Sequence, residues 1–117
     1  MIENQRQFRI LLAQHRVDFR NGHSGLLAEC YKMGVDPYKG DLVIFIGRNR
    51  CRIKIIYADA TGLWVSAKVF TMEAMKTQFK FLQEIGCGTI TTAEFSLLME
   101  GTSYVIKKRV APFLKAV

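Results

Sequence analysis

The chain has 117 residues, half of them hydrophobic, enough for one domain (1–117) with a substantial core and too few for two. Seventeen basic against ten acidic residues give a net charge of +7, which favours a polyanionic partner, inside a cell usually a nucleic acid. No apolar run approaches the ~20 residues that span a bilayer, and the polar start Ile2-Glu3-Asn4-Gln5-Arg6 lacks the layout of a secretory signal, so a cytoplasmic protein with no membrane partner is expected.

In chain order, Phe8–His15 has the apolar density of a strand. The stretch Val17-Asp18-Phe19-Arg20-Asn21-Gly22 then leads into a helix over about His23 to Met33. Leu26, Leu27, Cys30 and Met33 share one side of that helix, and Gly34 is its C-cap. Asp36-Pro37-Tyr38-Lys39-Gly40 is a turn. Three strands follow as a meander across residues 41–70: Asp41–Gly47, Cys51–Ala58 and Leu63–Phe70, parted by Arg48-Asn49-Arg50 and Asp59-Ala60-Thr61-Gly62. Met75–Leu82 alternates weakly and reads as a fourth strand or a short helix, and Gly86-Cys87-Gly88 as a flexible turn. Thr91–Glu100 is a second helix: Thr91 and Glu94 have capping-box spacing, Phe95, Leu98 and Met99 form a stripe, and Gly101 ends it. The basic tail 102–117, with Lys107-Lys108-Arg109, is either free or laid along a partner. These elements define an α+β fold: an antiparallel sheet of four or five strands with two helices.

The meander predicts its own register. A turn at Asn49-Arg50 sets Gly47 opposite Arg52, Ile46 opposite Ile53 and Ile44 opposite Ile55. A three-residue loop with Gly62 in a left-handed bulge pairs Tyr57 with Val65, Ile55 with Ala67 and Ile53 with Val69. One face then carries Leu42, Ile44, Ile46, Cys51, Ile53, Ile55, Tyr57, Val65 and Val69 as core. The other carries Arg50, Arg52, Lys54 and Lys68, interleaved with Trp64, Ser66, Phe45 and Phe70. Such a face suits polyanion contact, with Trp64 or Phe70 able to stack on bases. Equally, a helix or another protein can cover it, with lysine stems packed along the apolar residues.

Little here points to catalysis. Asp36 and Asp41 bracket a Pro-Gly turn and read as turn residues, as does Asp59, while Asp18 beside Arg20 reads as a structural ion pair, with Lys54 a candidate third member. His15 and His23 lack ligand-spaced partners, and Cys30, Cys51 and Cys87 show no paired spacing, so no metal site, disulfide or cofactor is expected.

Several strings follow one another in a recognisable order: VDFRNG at 17–22, GLLAE at 25–29, DPYKGDLVIFIGRNR at 36–50 and RIKIIYAD at 52–59. With Gly62-Leu63, Lys68 and the Leu97-Leu98-x-x-Gly101 helix end, the chain resembles the TnpB family. These are short second-frame accessory proteins of insertion sequences of the sixty-six class, distinct from the RNA-guided nucleases of the same name. The family's Asp-x-Arg-x-Gly motif corresponds to Asp18, Arg20 and Gly22, its Asp-Pro-aromatic to Asp36, Pro37 and Tyr38, and its Arg-x-Lys strand closing on an aspartate to Arg52, Lys54 and Asp59. Residues 71–87 match poorly, and Ala60-Thr61 and Val69 depart from the pattern. The resemblance implies a non-catalytic role in transposition, beside a separate transposase that does the chemistry. The expected partners are DNA, through Arg50, Arg52, Lys54, Trp64, Lys68 and the Lys107-Lys108-Arg109 tail, or instead the transposase or a second copy of the chain.

Overall fold

The strand Asp41–Gly47 is apolar throughout after its first residue because it is buried on both faces, as a strand in the middle of a covered sheet must be. The computed structural model describes residues 9–48 and 51–101, without the side chains of Gln14, His15 and Phe79. The expectations for Arg50 and for the tail with Lys107, Lys108 and Arg109 lie outside the described residues.

The described chain is α+β. Its elements are β1 (Arg9–Val17), α1 (His23–Lys32), a 3-10 turn (Pro37–Lys39), β2 (Asp41–Gly47), β3 (Arg52–Ala58), β4 (Leu63–Val69), α2 (Met72–Ile85), β5 (Gly88–Ile90) and α3 (Thr92–Glu100). Among the described residues one sheet runs β4-β3-β2-β1-β5. The expectation of a wholly antiparallel sheet is corrected: β1 and β2 pair in parallel, from Arg9↔Asp41 to Val17↔Gly47, and α1 supplies the crossover that parallel neighbours require. β5 returns antiparallel to β1 on its other side.

The β2–β3 register is the expected one, with Ile44 opposite Ile55 and Ile46 opposite Ile53. The β3–β4 register differs by one residue. Tyr57 faces Trp64, Ile55 faces Ser66 and Ile53 faces Lys68, so four residues, 59–62, form the loop. Gly62 keeps φ outside the left-handed region. The Asp59 carboxylate closes the loop instead, accepting from the Thr61 and Gly62 backbone N–H groups at 2.9 Å each. Because side chains alternate, this one-residue difference moves all of β4 to the opposite faces. Trp64, Ser66 and Lys68 join the side of Ile53 and Ile55, while Val65 and Val69 join the side of Arg52 and Lys54.

Both faces carry a core. On one, Ile10, Leu12, Leu42, Ile44, Ile53, Ile55 and Ile90 pack with Phe70, Leu82 of α2 and Leu98 of α3. On the other, Ala13, Val17, Val43, Phe45 and Ile56 pack with Leu26 and Cys30 of α1. Burial pushes the Cys30 thiol up to about 12, which keeps it protonated and unreactive.

Residues 75–82, read as a fourth strand or a short helix, lie in a third helix of 14 residues, so the strand alternative is wrong and the helix is longer than expected. α2 starts at Thr71, whose hydroxyl accepts from the Ala74 N–H at 3.1 Å, and ends at Gly86 with φ of 70°. Its inner stripe holds Met75, Gln78, Leu82 and Ile85. Gln78, buried in that stripe, donates to the carbonyls of Leu97 and Leu98, satisfying the end of α3. The other end of α3 carries the expected capping box between Thr91 and Glu94.

Candidate nucleic-acid interface

The Val17–Gly22 loop leaves the end of β1 and is pinned to the sheet beneath it. The Asp18 carboxylate accepts from the Arg20 backbone N–H at 2.9 Å, forming an Asx turn, and from the Arg20 guanidinium at 2.7 Å. These Arg20 contacts, the side chain first and the backbone second, hold the Asp18 carboxyl well below the ordinary carboxylate range. Arg48 adds a smaller pull in the same direction. The Arg48 backbone N–H donates to the Val17 carbonyl at 3.1 Å, which ties the end of β2 beside this loop.

Lys54 holds the rest of the loop. Its ammonium donates to the carbonyls of Phe19 and Asn21 at 2.7 Å each and lies 4.5 Å from the centre of the Phe19 ring. The Arg52 guanidinium lies 5.0 Å from the same ring, and its Nε is buried without a hydrogen-bond partner. Phe19 reaches this position because residue 47 is glycine: a Cβ there would stand 3.2 Å from the ring. Gly25 gives the same freedom one turn into α1, where a Cβ would meet the Asn21 side chain at 3.0 Å. The structure shows no crowding at Gly22 that requires a glycine.

The second motif region lies at the opposite end of the strands. Asp59 accepts from the Trp64 indole N–H at 2.6 Å, and that bond, ahead of the Thr61 backbone, lowers its carboxyl to about 2. Trp64 stacks on Tyr57, with ring centres 6.1 Å apart and planes within 9°, yet stays half exposed. It lies on the face away from Arg52 and Lys54, and it is far along the strands from them.

Among the described residues, the expected basic face is not one surface. Arg52 and Lys54 share a face but are engaged with the Phe19 loop. Lys68 points to the other face, where its ammonium donates to the Met99 carbonyl at the end of α3. Asp41 is not a turn residue: its side chain is wholly buried and takes two 2.9 Å bonds from Arg9, its register neighbour. Asp36 and Asp59 are turn residues as expected, Asp36 accepting from the Tyr38 N–H at 3.0 Å. Asp18 pairs with Arg20, whereas Lys54 bonds loop carbonyls rather than joining that pair. Among the described residues, no group of three metal-ligating side chains comes together.

The fold instead gathers positive charge at one end of the sheet, where β1 and β2 finish together and β3 begins. Residues 16–20, 46–48 and 51–54 contain Arg16, Arg20, Arg48, Arg52 and Lys54 against one acid, Asp18. Arg16, Arg20 and Arg48 are exposed. At the other end, Arg9 and Lys39 are matched by Asp36, Asp41 and Asp59. Arg16, Phe19, Arg48 and Gly47 were not singled out from the sequence as site residues. The signal for them is the parallel β1–β2 pairing, which brings residues some 30 apart in sequence to one end.

The family model of the IS66 Orf2-like proteins matches residues 8–109. The chain belongs to that family. The chain is also 36% identical over 110 residues to the uncharacterized protein y4jC of Sinorhizobium fredii, covering 93% of this chain and 92% of that one. No solved structure matches the chain. Its place in the IS66 Orf2-like family makes it a transposition-associated accessory protein. Among its described residues, no helix is long and apolar enough to cross a membrane.

Proposed function

We propose that this IS66 Orf2-like protein is a non-catalytic component of the transposition complex that contacts DNA through the arginine-rich end of its sheet. The observation that carries this reading is the segregation of charge along the strands. Residues 16–20, 46–48 and 51–54, which meet at one end, hold four arginines and Lys54 against a single acid, and three of those arginines are exposed. Phe19 and Lys54 fix the backbone of the loop that carries Arg20. Phosphate contacts of this kind position a protein on DNA without reading base sequence.

Binding to duplex DNA measured by fluorescence anisotropy tests the proposal. Each phosphate contact releases condensed counterions and adds about −0.9 to the log–log salt slope. Four contacts give a slope near −3.6, or roughly two decades of affinity lost between 50 and 200 mM salt. Random and element-end duplexes should bind about equally. No measurable binding at 50 mM salt refutes the reading.

A second reading, docking to the transposase or to another copy of the chain, is favoured by the outer strand β4. Trp64 and Val69 there are 51% and 59% exposed, more than isolated folding requires of large apolar side chains. Under that reading Trp64→Ser abolishes co-purification with the transposase and leaves DNA affinity unchanged.

A further inference from the structure

Arg20 and Arg48 both act on the Asp18 carboxylate at the arginine end. The Asp18 carboxylate occupies the position an incoming anion would take: it is bonded to the Arg20 guanidinium at 2.7 Å and stands beside the strand end that Arg48 fixes to Val17. The bond is solvent-facing, with the Arg20 side chain 89% exposed and that of Asp18 28%. We propose that Arg20 and Arg48 form a phosphodiester subsite whose resting occupant is the Asp18 carboxylate, and that a DNA phosphate displaces it from Arg20 on binding.

This inference rests on the DNA-contact reading and adds to it a built-in competitor. The competitor gives the site a physical signature. Arg20 and Asp18 together carry no net charge. Seating a phosphate on Arg20 therefore leaves the freed carboxylate beside the duplex, where its repulsion offsets the counterion release that Arg20 alone would cause. The contact therefore contributes little to the salt slope in the natural protein, although it contributes to affinity.

Removing the competitor reverses this. Asp18→Asn keeps an oxygen that accepts the Arg20 backbone N–H, so the Asx turn survives, but it removes the charge that occupies the guanidinium. The variant is expected to bind duplex DNA several-fold more tightly, with a salt slope steeper by about 0.9. A structural or catalytic aspartate predicts the opposite, a loss. In the Arg20→Gln background the Asp18→Asn gain should disappear, since the residue through which Asp18 acts is gone.

The experiment is a double-mutant cycle, the natural protein, Asp18→Asn, Arg20→Gln and both together, titrated with one labelled duplex at several salt concentrations. Thermal unfolding of each variant shows that it is folded. Weaker or unchanged binding by Asp18→Asn overturns the proposal. So does a gain that persists in full beside Arg20→Gln, because that gain is only the added net charge. Failure of the natural protein to bind DNA at all refutes the broader DNA reading instead, so the two failures are told apart.

Discussion

Ile55 and Ile56 are adjacent on β3 and point to opposite faces, so truncating each in turn tests whether the sheet is covered on both sides. Ile55 is 6% exposed and packs toward α2 and α3, while Ile56 is fully buried under α1. Ile→Ala removes three buried carbons, worth about 2.4 kcal/mol at about 0.8 kcal/mol each. The cavity left in a close-packed site raises the cost to about 3–5 kcal/mol. Ile56→Ala, at the more completely buried position, should sit at the upper end and Ile55→Ala slightly below it. In urea, with a slope of about 1–3 kcal/mol per molar for a small protein, either change moves the midpoint down by a molar or more. A sheet with one wet face would make one of the two substitutions nearly harmless. If Ile56→Ala shifts the urea midpoint by less than the experimental scatter while Ile55→Ala is severe, α1 does not cover β3 and the two-faced core is wrong.

Other outcomes follow from single contacts. Lys54→Met keeps the stem but loses both bonds to the Phe19 and Asn21 carbonyls, so the protein should lose about 2 kcal/mol in urea unfolding and amides of residues 18–22 should exchange faster. Gln78→Leu leaves the Leu97 and Leu98 carbonyls without their donor and should cost about 1–3 kcal/mol, with faster exchange at the end of α3. Asp59 has a folded pKa lowered to about 2. Its contribution to stability is therefore complete above its unfolded value near 4 and is lost as pH falls from about 4 to about 2. Trp64, the single tryptophan, reports this directly: its fluorescence should change over that window, and Asp59→Asn should remove the change.

Much of this architecture is legible in the residues, and the parts that are not have identifiable causes. The β2–β3 register is legible because Arg48-Asn49-Arg50 interrupts two apolar β-branched runs in the sequence, and the Thr91–Glu94 box marks the start of α3 directly. The β3–β4 register is not legible, because Gly62 invites a left-handed bulge while the loop is in fact closed by the Asp59 carboxylate. That single residue of slip carried Lys68 and Trp64 to the other face and made a basic face out of cations that lie on two. α2 was obscured by Gln78, a polar residue inside its apolar stripe whose reason is the end of another helix. The buried role of Asp41 depends on Arg9, 32 residues away, through a parallel pairing that no local turn encodes. The same pairing assembles the arginine end, which explains why Arg16 and Arg48 were invisible as site residues.

Two charge-matched double variants test the central claim, DNA contact at the arginine end, most directly. Arg16→Gln with Arg48→Gln removes two exposed cations from that end, and Lys76→Gln with Lys80→Gln removes two from α2, so both proteins lose the same net charge. Anisotropy titration of one duplex at 50 mM salt should show a loss of about tenfold or more for the arginine pair, with a flatter salt slope, and little change for the lysine pair. Equal losses from the two variants would mean that DNA senses only the overall charge of the protein, and would contradict the assignment of an interface.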